Sequence, residues 1–164
     1  MLPDPSSYVC LATQTVLSLD FHILARICIV DYCGTILFDS LVRPTEEVTD
    51  WLPERTGFDP SYFTSDGPMG VIDFEIARQE AVRHVNGKTI VGYKLWQSLD
   101  VLRLSHPADL TRDVATYFAF QTAFRSQSDD DGLQKLLREF MHRTIQHGYE
   151  NAVRRLYYPL SPRF

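Results

Sequence analysis

The sequence predicts an α/β protein, one layered domain built around a mixed sheet. Two observations lead there. The first half of the chain reads as consecutive strands joined by tight connections, and the second half alternates short strands with amphipathic helices. Length agrees, because 164 residues make one domain with room for a sizeable core.

Tyr8 to Thr13 is a short, mostly apolar run rich in strand formers. Leu24–Tyr32 (LARICIVDY) and Thr35–Val42 (TILFDSLV) flank Cys33-Gly34, and the glycine suits a hairpin turn. Pro44-Thr45 ends that pair and opens an irregular stretch through Gly57 and Pro60 to Pro68. Over 74–85 the apolar residues Phe74, Ala77, Ala81, Val82 and Val85 share one helical face, and Asn86-Gly87 stops the helix. Thr89–Gly92 reads as a short buried strand, Trp96–Leu104 as a helix and Leu110–Val114 as another strand. Asp129-Asp130-Asp131-Gly132 precedes a stripe of Leu133, Leu136, Leu137, Phe140 and Met141, and acidic residues at that end suit the positive end of a helix dipole. A last helix runs from Glu150 to Tyr158 and stops before Pro159.

Composition narrows the function classes. No segment approaches the roughly 18–20 continuous apolar residues of a membrane span. Met1-Leu2-Pro3-Asp4-Pro5-Ser6-Ser7 has neither the basic run nor the apolar core of a signal peptide. Cys10, Cys28 and Cys33 are odd in number and read as reduced thiols of an intracellular protein. Cys28 and Cys33 lack zinc-site spacing, so no metal is assigned to them. The net charge of −5 argues mildly against a nucleic-acid partner, since phosphate binding favours a basic face. The arginine-rich stretch is C-terminal, with Arg138, Arg143, Arg154, Arg155 and Arg163.

Several segments, taken in order, resemble the RNA exonuclease 4 branch of the DEDDh 3′–5′ exonucleases, a branch that includes the interferon-stimulated exonuclease. Leu24–Tyr32 resembles the family's second strand, and Val42-Arg43-Pro44 with Val48-Thr49-Asp50 resembles the segment after its third strand. Gly87–Gly92 resembles the strand before the second motif, and His106-Pro107 with Arg112-Asp113 the stretch before the fifth strand. Arg143-Thr144-Ile145-Gln146 resembles the lead-in to the third motif. The resemblance covers roughly residues 8–158 of a single domain spanning 1–164. It implies an RNase H-like fold, a five-stranded mixed sheet whose first three strands are antiparallel, flanked by helices.

Such enzymes hydrolyse phosphodiesters with two divalent cations about 3.5–4 Å apart, held by carboxylates as hard oxygen ligands. The family supplies four carboxylates and a histidine base. Here its first-motif acids align with Ala12 and Gln14, its second-motif Asp with Ser98 and its third-motif Asp with Asn151. Asp100, two residues beyond Ser98, is expected about 200° around the helix. The histidine loop is shortened to His147-Gly148-Tyr149, leaving His147 as a displaced base or an unrelated surface histidine.

The resulting expectation is a catalytically inactive exonuclease-like domain with no metal or cofactor, acting as a protein-interaction or scaffolding module or in self-association. Its partner surface would be the former cleft, with Tyr93, Trp96 and Gln97 on one side and Tyr149 on the other. The bland alternative has Tyr93 and Trp96 filling core space. A second reading keeps single-stranded RNA or DNA binding without cleavage. A third keeps hydrolysis through relocated ligands such as Asp20, Asp31 or Glu150. The family's role in RNA processing implies the nucleus.

Overall fold

A computed structural model of the chain describes residues 4–64 and 70–118, with positions 133, 138 and 142. Strands β1 (Tyr8–Ser18) and β2 (Phe21–Asp31) form a long antiparallel pair joined through Leu19-Asp20. Leu19 takes the turn with φ 54°, a left-handed conformation that usually falls to glycine. Strand β3 (Ile36–Val42) runs antiparallel to β2. The turn between them is the expected Cys33-Gly34 connection: Gly34 has φ 84°, and the Asp31 carboxylate accepts the N–H groups of Cys33 and Thr35 at 2.9 and 2.8 Å.

Among the described residues the sheet has six strands in the order β4-β3-β2-β1-β5-β6. β4 (Val71–Ile72) lies parallel to β3, β5 (Thr89–Gly92) parallel to β1 and β6 (Thr111–Asp113) parallel to β5. The strand beyond the expected five is β4, whose two residues are too few to show a period of two in sequence.

One face of the sheet carries the main core. Val9, Leu11, Ile27 and Ile29 bury against helices, which shield them from water. Helix α1 (Pro53–Thr56) is a single turn elsewhere, so the helices here are α2 (Phe74–Val85) and α3 (Leu95–Val101). Ala77, Ala81 and Val85 give α2 its buried stripe. Val82, expected on that stripe, is exposed, because one residue of helix turns it about 100° from Ala81. The α2 terminus falls where Asn86-Gly87 places it, with Gly87 at φ 69°.

The opposite face holds two smaller clusters. Ala12, Cys28 and Val30 pack together near the sheet centre. Val16, Ala25 and Leu41 are covered by Phe58 and Phe63. Residues 51–63, part of the stretch expected to be irregular, are held by aromatic packing: Trp51 and Phe63 ring centroids lie 4.8 Å apart, and Phe58 meets Phe63 edge-on at 5.3 Å. Arg26 and Asp39 form a two-pronged ion pair on this face, at 2.8 and 2.7 Å. The helices expected after Asp129 and over 150–158 lie outside the described residues. Among the described residues no helix is long and apolar enough to cross a membrane.

Candidate functional site

A cleft of about 170 Å³ opens between β1 and α3. Its floor is Thr13, Gln14 and Thr15, three consecutive residues of one strand. The β1–β2 register shifts beside this floor, where Gln14 pairs with Arg26 and Thr15 with Leu24, so that Ala25 of β2 is the extra residue of a bulge. Trp96, Gln97, Ser98 and Asp100 of α3 form one wall, continued by Tyr93 and Lys94. The other wall comes from His22 of β2 and from Arg55 and Thr56 of α1.

A carboxylate at the sheet edge fixes where α3 begins. Asp113, the last residue of β6, accepts the Lys94 N–H through Oδ1 at 2.9 Å and the Leu95 N–H through Oδ2 at 2.8 Å. The same Oδ1 takes the Ala115 N–H at 2.9 Å. Lys94 itself sits at φ 53° with no cap from its own side chain, so Asp113 supplies the acceptors that an N-terminal turn otherwise lacks. Just before it, Gly92 lets β5 pass close to β1. A Cβ at Gly92 would lie 2.9 Å from the Leu11 carbonyl oxygen and 2.6 Å from Leu95 Cδ2.

Hydroxyls tie the floor to the walls. Thr13 Oγ1 and Ser98 Oγ are 2.9 Å apart, and Thr15 Oγ1 lies 3.0 Å from His22 Nδ1. Lys94 Nζ stands 5.8 Å from the Tyr93 ring centroid, within cation–π range. Trp96 is 63% exposed, so it does not fill core space. Tyr93 is half-buried at the rim.

The residues singled out in the sequence separate in the fold. Gln14 and Ser98 border the cleft, as do Tyr93, Trp96 and Gln97. Ala12 does not; it packs beside Cys28, its cross-strand neighbour. That region is dry enough that burial pushes the Cys28 thiol up to about 12, helped by the Asp39 carboxylate and opposed by Arg26. Asp100 borders the cleft together with Ser98, contrary to expectation, because the cleft runs along α3 and receives more than one flank of it. Asp20 is exposed in the β1–β2 turn and Asp31 is engaged in the β2–β3 turn, so neither reaches the cleft. His147, Tyr149, Glu150 and Asn151 lie outside the described residues. The sequence reading missed His22, Arg55 and Thr56, which come from separate elements and share no spacing signal.

Two-cation chemistry requires converging carboxylates. At positions 12, 14 and 98 the chain presents a methyl, an amide and a hydroxyl. Among the described residues no three His, Cys, Asp or Glu side chains converge to hold a metal ion. These positions do not fit the family's cation pair.

The mixed sheet, its flanking helices and a cleft at the central strand make an RNase H-like fold. No family model matches the chain. It is 35% identical over 153 residues to RNA exonuclease 4 of Candida albicans, covering 92% of this chain and 51% of that protein. It is 32% identical over 130 residues to RNA exonuclease 4 of Saccharomyces cerevisiae, covering 79% and 43%. The chain thus spans about half the length of the curated relatives it matches. Among solved structures, the Neurospora crassa Pan2 catalytic unit superposes with TM-score 0.78 at 17% identity, covering 96% of this chain and 26% of that one. The Saccharomyces cerevisiae Pan2 module in complex with AAUUAA RNA gives 0.74 at 19%, covering 92% and 27%.

The chain belongs to the DEDDh exonuclease family, in its RNA exonuclease 4 branch. The expectation of a non-enzymatic scaffold is corrected by this kinship: the relatives are named as RNA exonucleases, and the solved neighbours are nuclease modules, one of them holding RNA.

Proposed function

We propose that the chain acts on RNA as a 3′–5′ exonuclease domain, receiving a single-stranded end in the cleft between β1 and α3. The observation that carries this reading is the match to RNA exonuclease 4 over nine-tenths of the chain, at 35% identity. The RNA-bound Pan2 modules support RNA as the ligand of this fold. The cleft supports it too, with an exposed indole at one wall and a guanidinium at the other.

The described residues account for binding and alignment. Thr13 and Ser98 couple the floor to α3, and Asp113 holds α3 at the height that presents Trp96. Among the described residues Asp100 is the carboxylate that borders the cleft, and further acidic residues, Asp129 to Asp131 and Glu150, stand later in the sequence.

The test is incubation of a 5′-labelled single-stranded RNA with the protein and Mg²⁺ or Mn²⁺, followed on a denaturing gel. A ladder shortening from the 3′ end is expected, and its loss in EDTA would show that cleavage depends on a divalent cation. Intact RNA after prolonged incubation with excess protein would refute the proposal.

A further inference from the structure

The far end of the β1–β2 hairpin holds two large apolar side chains in water: Leu19 is 73% exposed and Phe21 70%. They flank Asp20, and Leu19 takes the left-handed turn position at φ 54°, where a two-residue hairpin favours glycine. Neither side chain serves the core. A strained, solvated leucine beside a solvated phenylalanine marks a contact surface.

The segment after Pro44 holds this tip in place. Leu17 exchanges backbone hydrogen bonds with Asp50, at 2.9 and 3.3 Å, and its carbonyl also accepts the Thr49 N–H at 2.8 Å. Thr49 Oγ1 accepts the Leu19 N–H at 2.9 Å, and Ser18 Oγ donates to Glu46 at 3.3 Å. Val48 and Trp51 anchor the segment against the Val16 cluster. These contacts bring Asp20, Glu46, Glu47 and Asp50, all exposed, to the same end of the molecule. Among the described residues none of the four forms an ion pair, whereas Arg26 and Arg43, the arginines between positions 17 and 54, are bound to Asp39 and Asp73. His22, next to Phe21, is bonded to Thr15.

We propose that the hairpin tip docks a basic polypeptide segment that carries apolar side chains. Charge decides among the occupants. Four carboxylates repel phosphate, which disfavours RNA and anionic membrane surfaces here. A second copy set tip to tip would oppose like charges. A lysine- or arginine-rich partner gains from the acidic rim and seats its apolar residues on Leu19 and Phe21. Proteins that coat RNA carry such segments, because phosphate binding selects lysine and arginine. Neither Leu19 nor Phe21 borders the cleft, so the inference stands apart from the exonuclease reading.

The experiment is fluorescence anisotropy of a short labelled peptide of alternating lysine and leucine, and of its glutamate–leucine counterpart. The proteins are the wild type, Leu19→Gly, Phe21→Ser and the double variant Glu46→Lys with Glu47→Lys. The wild type should bind the lysine–leucine peptide alone, and more weakly as salt is added. Leu19→Gly and Phe21→Ser should each weaken binding about tenfold, the loss of one apolar anchor. The double charge reversal should weaken it too and flatten the salt dependence. Leu19→Gly separates docking from folding, because it relieves the turn and should melt no lower than the wild type. A wild type that binds neither peptide or both alike, or binding that Leu19→Gly and Phe21→Ser leave within twofold, would overturn the proposal. Self-association in sedimentation that Leu19→Gly abolishes would overturn it as well, by giving the tip to a second copy.

Discussion

Replacing Gly92 with alanine adds one methyl group at the tightest point beneath the cleft. The new Cβ would sit 2.9 Å from the Leu11 carbonyl oxygen and 2.6 Å from Leu95 Cδ2. Leu95 is fully buried and has little room to turn away, and the Leu11 carbonyl belongs to the central strand, which pairs on both sides. Relief must come from moving β5 away from β1 or tilting the start of α3. Overpacking of this kind costs about 1–3 kcal/mol, and the reduced freedom of the unfolded chain returns about 0.4–1 kcal/mol. From the middle of each range the net is a loss of about 1.3 kcal/mol, which for a domain of this length lowers Tm by about 3–5 °C. Urea denaturation followed by circular dichroism measures it directly. Gly70→Ala is the control, since a Cβ there meets nothing within 4 Å. A Gly92→Ala protein as stable as the control would show that the β1–β5 approach is not the constraint described.

Other perturbations test the remaining supports. Asp113→Ala removes the acceptor for three backbone N–H groups and should cost about 2 kcal/mol, with Asp113→Asn intermediate, by the same denaturation assay. Asp39→Ala leaves Arg26, 8% exposed, without its carboxylate and should cost about 3–5 kcal/mol, whereas exposed Glu75→Ala on α2 should cost less than about 0.5 kcal/mol. Under native conditions a thiol reagent should modify exposed Cys33 readily and Cys28 only on unfolding, read by mass spectrometry. Because Cys28 is raised from 9.0 to about 12 in the fold, the unfolded thiol ionises first as pH rises. The unfolded state then binds fewer protons, so the Cys28 contribution to stability is intact below pH 9.0 and is lost progressively towards pH 12; Cys28→Ala should flatten that alkaline decline.

Elements with strong periodicity or clear punctuation were legible in the sequence. The helix over 74–85 and the strand over 89–92 fall where the apolar spacing and Asn86-Gly87 place them. The far half of β1 was not, because Gln14 and Ser18 are buried polar residues and the hairpin turns on Leu19-Asp20 without glycine. Losing that hairpin hid the cleft's second wall, since His22 is brought beside Thr15 only by the β1–β2 pairing. Arg55 was hidden for a related reason: its stretch is held by Trp51, Phe58 and Phe63, contacts with no repeating spacing. Tyr93, Trp96 and Gln97 were found because they adjoin a motif position on one short helix. The functional reading failed where four aligned positions were allowed to outweigh relatives matching most of the chain.

The Asp113 carboxylate also sets a timescale. Among the described residues β6 is a three-residue edge strand paired to β5, the kind of element that frays well before the whole domain unfolds. Each opening of β6 withdraws the acceptor from Lys94 and Leu95, so the wall that carries Trp96 loosens in the same event. Edge-strand opening and cleft integrity are one equilibrium. In hydrogen exchange the amides of Lys94, Leu95 and Ala115 should report it with a common opening free energy below that of the β1–β2 core.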